Sequence, residues 1–371
     1  MTGDRARRAL RTVYLGARAL ALCGLRLTPG SRARVPEPAR VRSLLVVRTD
    51  RLGDMVLTTP ALADLRRHFR GAEITVLAPP GPVAALEGHP AVDRLAALTR
   101  SGLPLEMVGR FDLAVDFTPD HSLRGAMLVG RSGAPYRSGF RGWGRQGFFN
   151  LPSPRPSPGR HIVEINRDLV RSLGAQADEG SRPSLYLAPE ERGAAQGRLA
   201  ALGAGSPRVA VHPGGRYPSQ RWAPESFAEL VTLLTQRAGA ACVVLAGPGE
   251  GPLVDRICAA TPDALAAGPL TVRGMMALIA SCELFVGNNS GPLHLAGALG
   301  VATVSIMGPT DPARFRPVGP SDRVIRRALP CSPCGRGDCW HHTCLRSIEP
   351  DEVLREVEEA LRALPAREAA R

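Results

Sequence analysis

Residues 284–312 read LFVGNNSGPLHLAGALGVATVSIMGPTDP. The apolar run Leu284-Phe285-Val286 ends in a polar, glycine-bearing loop, Gly287-Asn288-Asn289-Ser290-Gly291-Pro292. A helical run over residues 293–299 follows, then Gly300, a second apolar run over residues 302–307, and the loop Gly308-Pro309-Thr310-Asp311-Pro312. Strand, loop, helix, strand, loop is one half of a parallel α/β unit. A loop that opens a helix presents free backbone N–H groups at the positive end of the helix dipole, and this makes an anion site. Ser290, Thr310 and His294, one turn into the helix, add donors, and a diphosphate is the natural guest. A plain turn beside a packed histidine could carry the same residues, so a second loop decides. Val209-Ala210-Val211-His212-Pro213-Gly214-Gly215 is another short strand running into glycines, and it leads through Arg216, Gln220 and Arg221 to Trp222-Ala223-Pro224.

Working outward, the second half reads as a strand at 208–212, a helix at 224–238, a strand at 241–246, the loop Gly247-Pro248-Gly249-Glu250, helices at 251–260 and 273–281, and then the segment above. The first half shows the same alternation. A strand at 41–47 runs into Arg48-Thr49-Asp50-Arg51-Leu52-Gly53-Asp54, a helix covers 55–69, and strands fall at 73–78 and 111–117. Residues 118–160, rich in Gly, Arg and Pro, read as long loop material on a binding face. A helix is expected over 162–173. A C-terminal helix begins at Pro350, with Val353, Leu354, Val357, Leu361 and Leu364 at helical spacing.

The 371 residues suggest two domains, and an apolar content of 44% suffices for their cores. Aromatics at 4% are too few for a base-stacking surface. All 47 basic residues are arginine, and ten of them fall within residues 1–42 against Asp4 and Glu37. The remainder is only mildly basic, so no nucleic-acid partner is expected. Arg5, Arg7, Arg8, Arg11, Arg18 and Arg26 interleave with Val13, Tyr14, Leu15, Leu20 and Leu22. That pattern suits a basic amphipathic helix on an anionic membrane surface, or one packed on the protein's own body. No convincing secretory signal is present, so Cys23, Cys242, Cys258 and Cys282 are expected as buried thiols in a reducing compartment.

The motifs VRTDRLGDMVLTTPAL (47–62), VHPGGRYPSQRWAPESFAEL (211–230), AGPGE (246–250) and NNSGPLHLAGALGVATVSIMGPTDP (288–312) resemble, in order, those of glycosyltransferase family 9, the ADP-heptose:lipopolysaccharide heptosyltransferase family. The resemblance implies an α/β fold of two Rossmann-like domains facing a cleft, of glycosyltransferase-B type, with a basic N-terminal helix and a Cys-rich C-terminal tail added here. The expected division is a basic extension at 1–40, an acceptor domain at 41–185, a linker at 186–206, a nucleotide-sugar domain at 207–330, and the Cys-rich segment with its helix at 331–371. The implied activity is inverting, metal-independent transfer of a heptose or related sugar from a nucleotide-diphospho-sugar, ADP-heptose favoured, to a lipopolysaccharide-core-like or other glycan or glycolipid acceptor. The implied location is cytoplasmic, peripheral on the inner face of the cell membrane.

Asp54 matches the family's proposed general base, the carboxylate that takes the proton from the acceptor hydroxyl on the face opposite the leaving group. Helix N-capping is its alternative role. Arg48 and Arg51 are candidates for holding an acceptor phosphate or carboxylate. Donor candidates are Gly214, Gly215, Gln220, Arg221, Glu250, Asn289, Ser290, Gly291, His294 and Thr310. They must neutralise a departing diphosphate without a metal, and Glu250 matches the family's acceptor of ribose hydroxyls. Two positions depart from the family pattern. Gln220 stands where a lysine is usual, and Asn289 where an aspartate is. These departures motivate a second reading, a nucleotide-sugar-binding protein of weakened activity, beside a third in which the acceptor is a soluble natural product. Catalysis needs no cofactor in this reading. Cys331, Cys334, Cys339 and Cys344, with His341 and His342 between the last two, are candidates for a structural zinc, with free thiols or a disulfide as the alternative.

Overall fold

A computed structural model describes residues 13–17, 33–100, 102–319 and 321–364. Most of the basic N-terminal segment therefore lies outside the described residues. Residues 13–17 are helical, with Leu15 buried and Val13 and Tyr14 exposed.

Two compact units are present. Of the described residues, the first comprises those up to Arg51 together with those of 58–181, and the second comprises Leu52–Leu57 with those from Arg182 on. The first holds six parallel strands, β1 (Ser43–Val47), β2 (Glu73–Ala78), β3 (Arg94–Ala97), β4 (Leu113–Asp116), β5 (Tyr136–Phe140) and β6 (Leu151–Ser153). The second holds six more, β7 (Arg208–His212), β8 (Ala241–Leu245), β9 (Leu265–Ala267), β10 (Leu284–Asn288), β11 (Ala302–Ile306) and β12 (Asp322–Ile325). The sheet orders are β3-β2-β1-β4-β5-β6 and β12-β11-β10-β7-β8-β9. Counted within each unit, both are the doubly wound order of a dinucleotide-binding fold. The expected pair of Rossmann-like domains is present.

The central strands are buried on both faces, which is why they read as unbroken apolar runs such as SLLVV in β1. The helices are delimited by local chemistry. Pro224 sits in the first turn of Pro224–Ala238, and Gly239 ends it at φ 61°, the left-handed conformation that glycine adopts without strain. Thr271 caps Val272–Ala280 by accepting from the Gly274 N–H.

Two expectations need correction. The helix expected over 55–69 is two helices, Leu52–Val56 and Thr59–His68. Pro60 has no N–H to give the Val56 carbonyl, so one helix cannot continue through it. Residues 118–160 are not one long loop. They contain the helix Arg124–Arg131 and strands β5 and β6. Elsewhere, the segment 186–206 holds the helix Pro189–Ala201, which begins with a proline, has Glu191 accepting from the Ala188 N–H at 2.9 Å, and buries Ala195 and Leu199. The C-terminal helix expected from Pro350 is present as Pro350–Ala363. Val353, Leu354, Val357 and Ala360 join the second unit's core beside Val304 and Ile306.

Candidate functional site

In a sheet of this order the ligand crevice opens at the carboxyl ends of the two strands that flank the reversal of direction. In the second unit these are β7 and β10, which end at His212 and Asn288. The two glycine loops start there.

Asn288 is fully buried, and its amide nitrogen donates to the carbonyls of Pro213 (2.8 Å) and Gly214 (3.1 Å). Its Oδ1 accepts the Trp222 N–H at 2.9 Å. One side chain thus holds both ends of the 213–221 loop. Trp222 is anchored in turn by its indole N–H, which donates to the Ile348 carbonyl at 3.1 Å. Arg221 donates from Nε to the Gly215 carbonyl at 2.7 Å, so this cation braces the glycine loop from outside.

Glu250 precedes the helix Gly251–Ala260 and reaches under the same loop. Its carboxylate accepts from the N–H groups of Gly215 (3.1 Å) and Gly247 (2.9 Å) and lies 3.0 Å from His212 Nε2. Burial alone would raise its pKa. The His212 hydrogen bond and charge, with the Gly247 and Gly215 N–H groups, outweigh that and lower it to about 2. A Cβ on Gly214 would collide with this carboxylate, so the position admits only glycine.

Ser290 sits at the N-cap of the helix Gly291–Ala298 in extended conformation but does not cap it with its side chain. Its hydroxyl is instead 3.3 Å from His212 Nδ1. A helix start presents free N–H groups at the positive end of its dipole, and this one begins at Gly291 just beyond the end of β10. Thr310 Oγ1 accepts from Gln220 Nε2 at 3.3 Å, joining the loops after β11 and β7. Asn289 donates from its amide to the Phe315 carbonyl at 3.0 Å, a brace for the adjoining loop.

His294 is buried on the same helix, and Gly53 of Leu52–Val56 packs against its ring. Asp54, next to Gly53, is half-buried on that short helix.

In the first unit, the equivalent strand ends are those of β1 and β4. Arg48 is 1% exposed and bridges them. It donates to Asp50 Oδ1 (2.6 Å), the Phe117 carbonyl (2.8 Å) and Asn166 Oδ1 (3.0 Å). It is committed to organising the loops, while Arg51 is exposed. Beside them Arg145 and Asp116 form a buried ion pair at 2.5 Å, and Arg145 also donates to the Asp120 carbonyl at 2.7 Å.

The tail folds onto the loops after β7 and β11. Ser219 donates to the Arg336 carbonyl (2.6 Å), Cys334 and Gly335 donate N–H groups to the Pro309 carbonyl (3.1 and 2.8 Å), and Leu345 lies under Gly308. Cys331, Cys334, Cys339 and Cys344 carry free thiols. Burial, and the charge of its three sister cysteines, push the Cys344 thiol up. Among the described residues no three His, Cys, Asp or Glu side chains converge as a metal ion requires, so the zinc expectation finds no fitting site in this arrangement.

Sequence reasoning missed His212 and Asn288 as site residues. The signal was available, since each is a polar residue at the carboxyl end of an apolar strand, but only the strand order makes those two ends neighbours.

Two doubly wound domains, one with glycine loops and a helix N-terminus at its switch point, make a two-domain Rossmann-like architecture. The chain belongs to glycosyltransferase family 9 (heptosyltransferase), whose family model matches residues 107–344. It is a glycosyltransferase. Among curated relatives, the lipopolysaccharide heptosyltransferase 3 of Escherichia coli K12 is 27% identical over 289 residues, covering 71% of this chain and 82% of that protein. The solved E. coli ADP-heptose lps heptosyltransferase II has a TM-score of 0.71 at 25% identity, covering 86% of this chain and 98% of that one. A family 9 glycosyltransferase from Veillonella parvula has a TM-score of 0.75 at 21% identity, covering 89% and 99%, a likeness of fold. The match over residues 107–344 leaves Asp54 outside it.

Proposed function

We propose that this glycosyltransferase moves a heptose from an ADP-heptose donor onto a lipopolysaccharide-core acceptor, with inversion and without a metal. The observation that carries the donor half is the meeting of the Gly214-Gly215 loop, Glu250 and the Ser290-Gly291 helix start at the β7/β10 switch point. The names of the relatives, which are lipopolysaccharide and ADP-heptose heptosyltransferases, support the sugar and the acceptor class.

In this reading Asp54 takes the acceptor hydroxyl proton as that oxygen attacks the anomeric carbon. The bond to the diphosphate breaks, and its electron pair leaves with the nucleoside diphosphate. The growing charge is met by the Gly291 N–H, the helix dipole and the Ser290 and Thr310 hydroxyls. Glu250 faces the ribose. The exposed Val13 and Tyr14 and the arginines around them favour attachment to the inner membrane face, which is where a lipid-linked acceptor would be met. No helix among the described residues is long and apolar enough to cross a membrane.

The test is calorimetry of the purified protein with ADP, GDP, UDP and dTDP in a chelator, followed by turnover of ADP-heptose on core acceptors. Selective ADP binding and transfer in chelator support the proposal. Selective binding of another nucleotide changes the donor. A second reading, binding without efficient turnover, rests on Gln220 and Asn289, whose amides bond Thr310 and Phe315 where a cation and a carboxylate are usual. ADP binding with no transfer to any core acceptor would favour it.

A further inference from the structure

Ser290, His212 and Glu250 form a continuous chain, with Ser290 Oγ 3.3 Å from His212 Nδ1 and His212 Nε2 3.0 Å from Glu250 Oε2. The imidazole between them is 2% exposed and lies at the end of β7. Its place is over-determined. The ring stacks on Phe285 with centroids 6.4 Å apart, and Gly287 packs so tightly on the His212 backbone that a Cβ there would lie 2.6 Å from the His212 carbonyl oxygen. The ionised Glu250 can only accept hydrogen bonds, so the facing Nε2 carries a hydrogen and donates it. In the neutral ring Nδ1 is then the acceptor, and the Ser290 hydroxyl donates to it.

We infer that His212 is a positioning residue that couples the two ends of the donor site. It fixes Ser290 at the diphosphate end relative to Glu250 at the nucleoside end, so that each is pre-set for one ligand span. The inference rests on the nucleoside-diphosphate reading above. Among the described residues Ser290 and Glu250 share no hydrogen bond with each other, and the imidazole touches both, so it is a direct route by which their binding energies couple.

The experiment is a cycle of ADP affinities by calorimetry for the full chain, using wild type, Ser290→Ala, Glu250→Gln and their double variant, repeated in a His212→Gln background. Gln can place its amide N–H where Nε2 faces Glu250, but it sets no acceptor at the Nδ1 position that faces Ser290. Each single variant is expected to weaken ADP binding tenfold or more. The Ser290/Glu250 double variant should be little weaker than the worse single one, and the coupling should vanish in His212→Gln, where the losses multiply. Adenosine affinity should fall far less than ADP affinity in Ser290→Ala, a split that a merely loosened fold would not give. If His212→Gln does not fold, the Ser290/Glu250 cycle alone decides, because multiplying losses in the wild-type background overturn the inference. Failure of wild type to bind any of the four nucleoside diphosphates overturns the nucleotide reading and this inference together. Wild-type binding with independent losses overturns this inference alone.

Discussion

Gly53 and His294 stand in a contact that only glycine permits, for a Cβ on Gly53 would lie 2.6 Å from His294 Cδ2. A Cβ on Gly291 would lie 3.1 Å from the Leu52 Cβ, a tight approach of the same two helices. The short helix Leu52–Val56 therefore lies directly on the helix Gly291–Ala298 within the second unit. Gly53→Ala is expected to push the imidazole aside and to destabilise the protein by about 1–3 kcal/mol, the usual result of forcing an extra methyl into a filled space. Urea unfolding of the variant measures this, and an unchanged midpoint would mean that the two helices part readily.

Asp54 is carried by that same short helix. If it is the base, Asp54→Asn keeps the shape and removes the proton acceptor. Turnover should fall by about 100- to 10,000-fold, while ADP affinity stays within twofold of wild type. Equal turnover would remove the base assignment, and a matching loss of affinity would recast Asp54 as part of the scaffold.

Glu250 makes stability depend on acid. Its ordinary value of 4.5 is lowered to about 2 in the fold. Between those values the unfolded chain holds a proton that the folded chain does not, so the carboxylate's contribution is complete above the upper value and is lost as pH falls through the lower one. The shift corresponds to on the order of 3 kcal/mol, less where His212 is uncharged. Glu250→Gln sets an NH2 against the N–H of Gly215 or of Gly247 and His212. Its deficit in urea midpoint should be about 2–3 kcal/mol at neutral pH and should narrow near pH 3. Parallel curves for variant and wild type would show an ordinary carboxylate.

Arg145 and Asp116 test the first unit. Both are essentially buried, and removal of one partner strands the other's charge. Arg145→Ala should cost about 3–5 kcal/mol, whereas replacing both by apolar residues of similar size should recover much of it. A small loss for the single variant would place water against Asp116 in solution.

Much of the fold was legible because fully buried parallel strands leave unbroken apolar runs, as at 43–47, 208–212 and 284–288. The missed strands β5 and β6 carry residues that interrupt an apolar run. β5 contains Gly139, whose missing side chain makes room for the Phe149 ring, and β6 contains Pro152. Both residues read as loop signals, yet the edge strand β6 tolerates its proline, and β5 beside it uses the glycine to admit a ring. The helix Pro189–Ala201 was missed because it buries only Ala195 and Leu199, too little to leave a stripe.

The sequence by itself determined the alternation of strand and helix, the family, and the two loops able to meet a diphosphate. These are local properties, set by apolar periodicity, glycine and proline, and the free N–H groups of a helix start. Tertiary structure decided what those residues do for one another. It turned Arg48 into a buried clamp, set Gln220 on Thr310, placed Leu52–Leu57 with the second unit, and brought His212 between Ser290 and Glu250. Such pairings depend on strand order and packing, which join residues dozens of positions apart and leave no periodic trace along the chain.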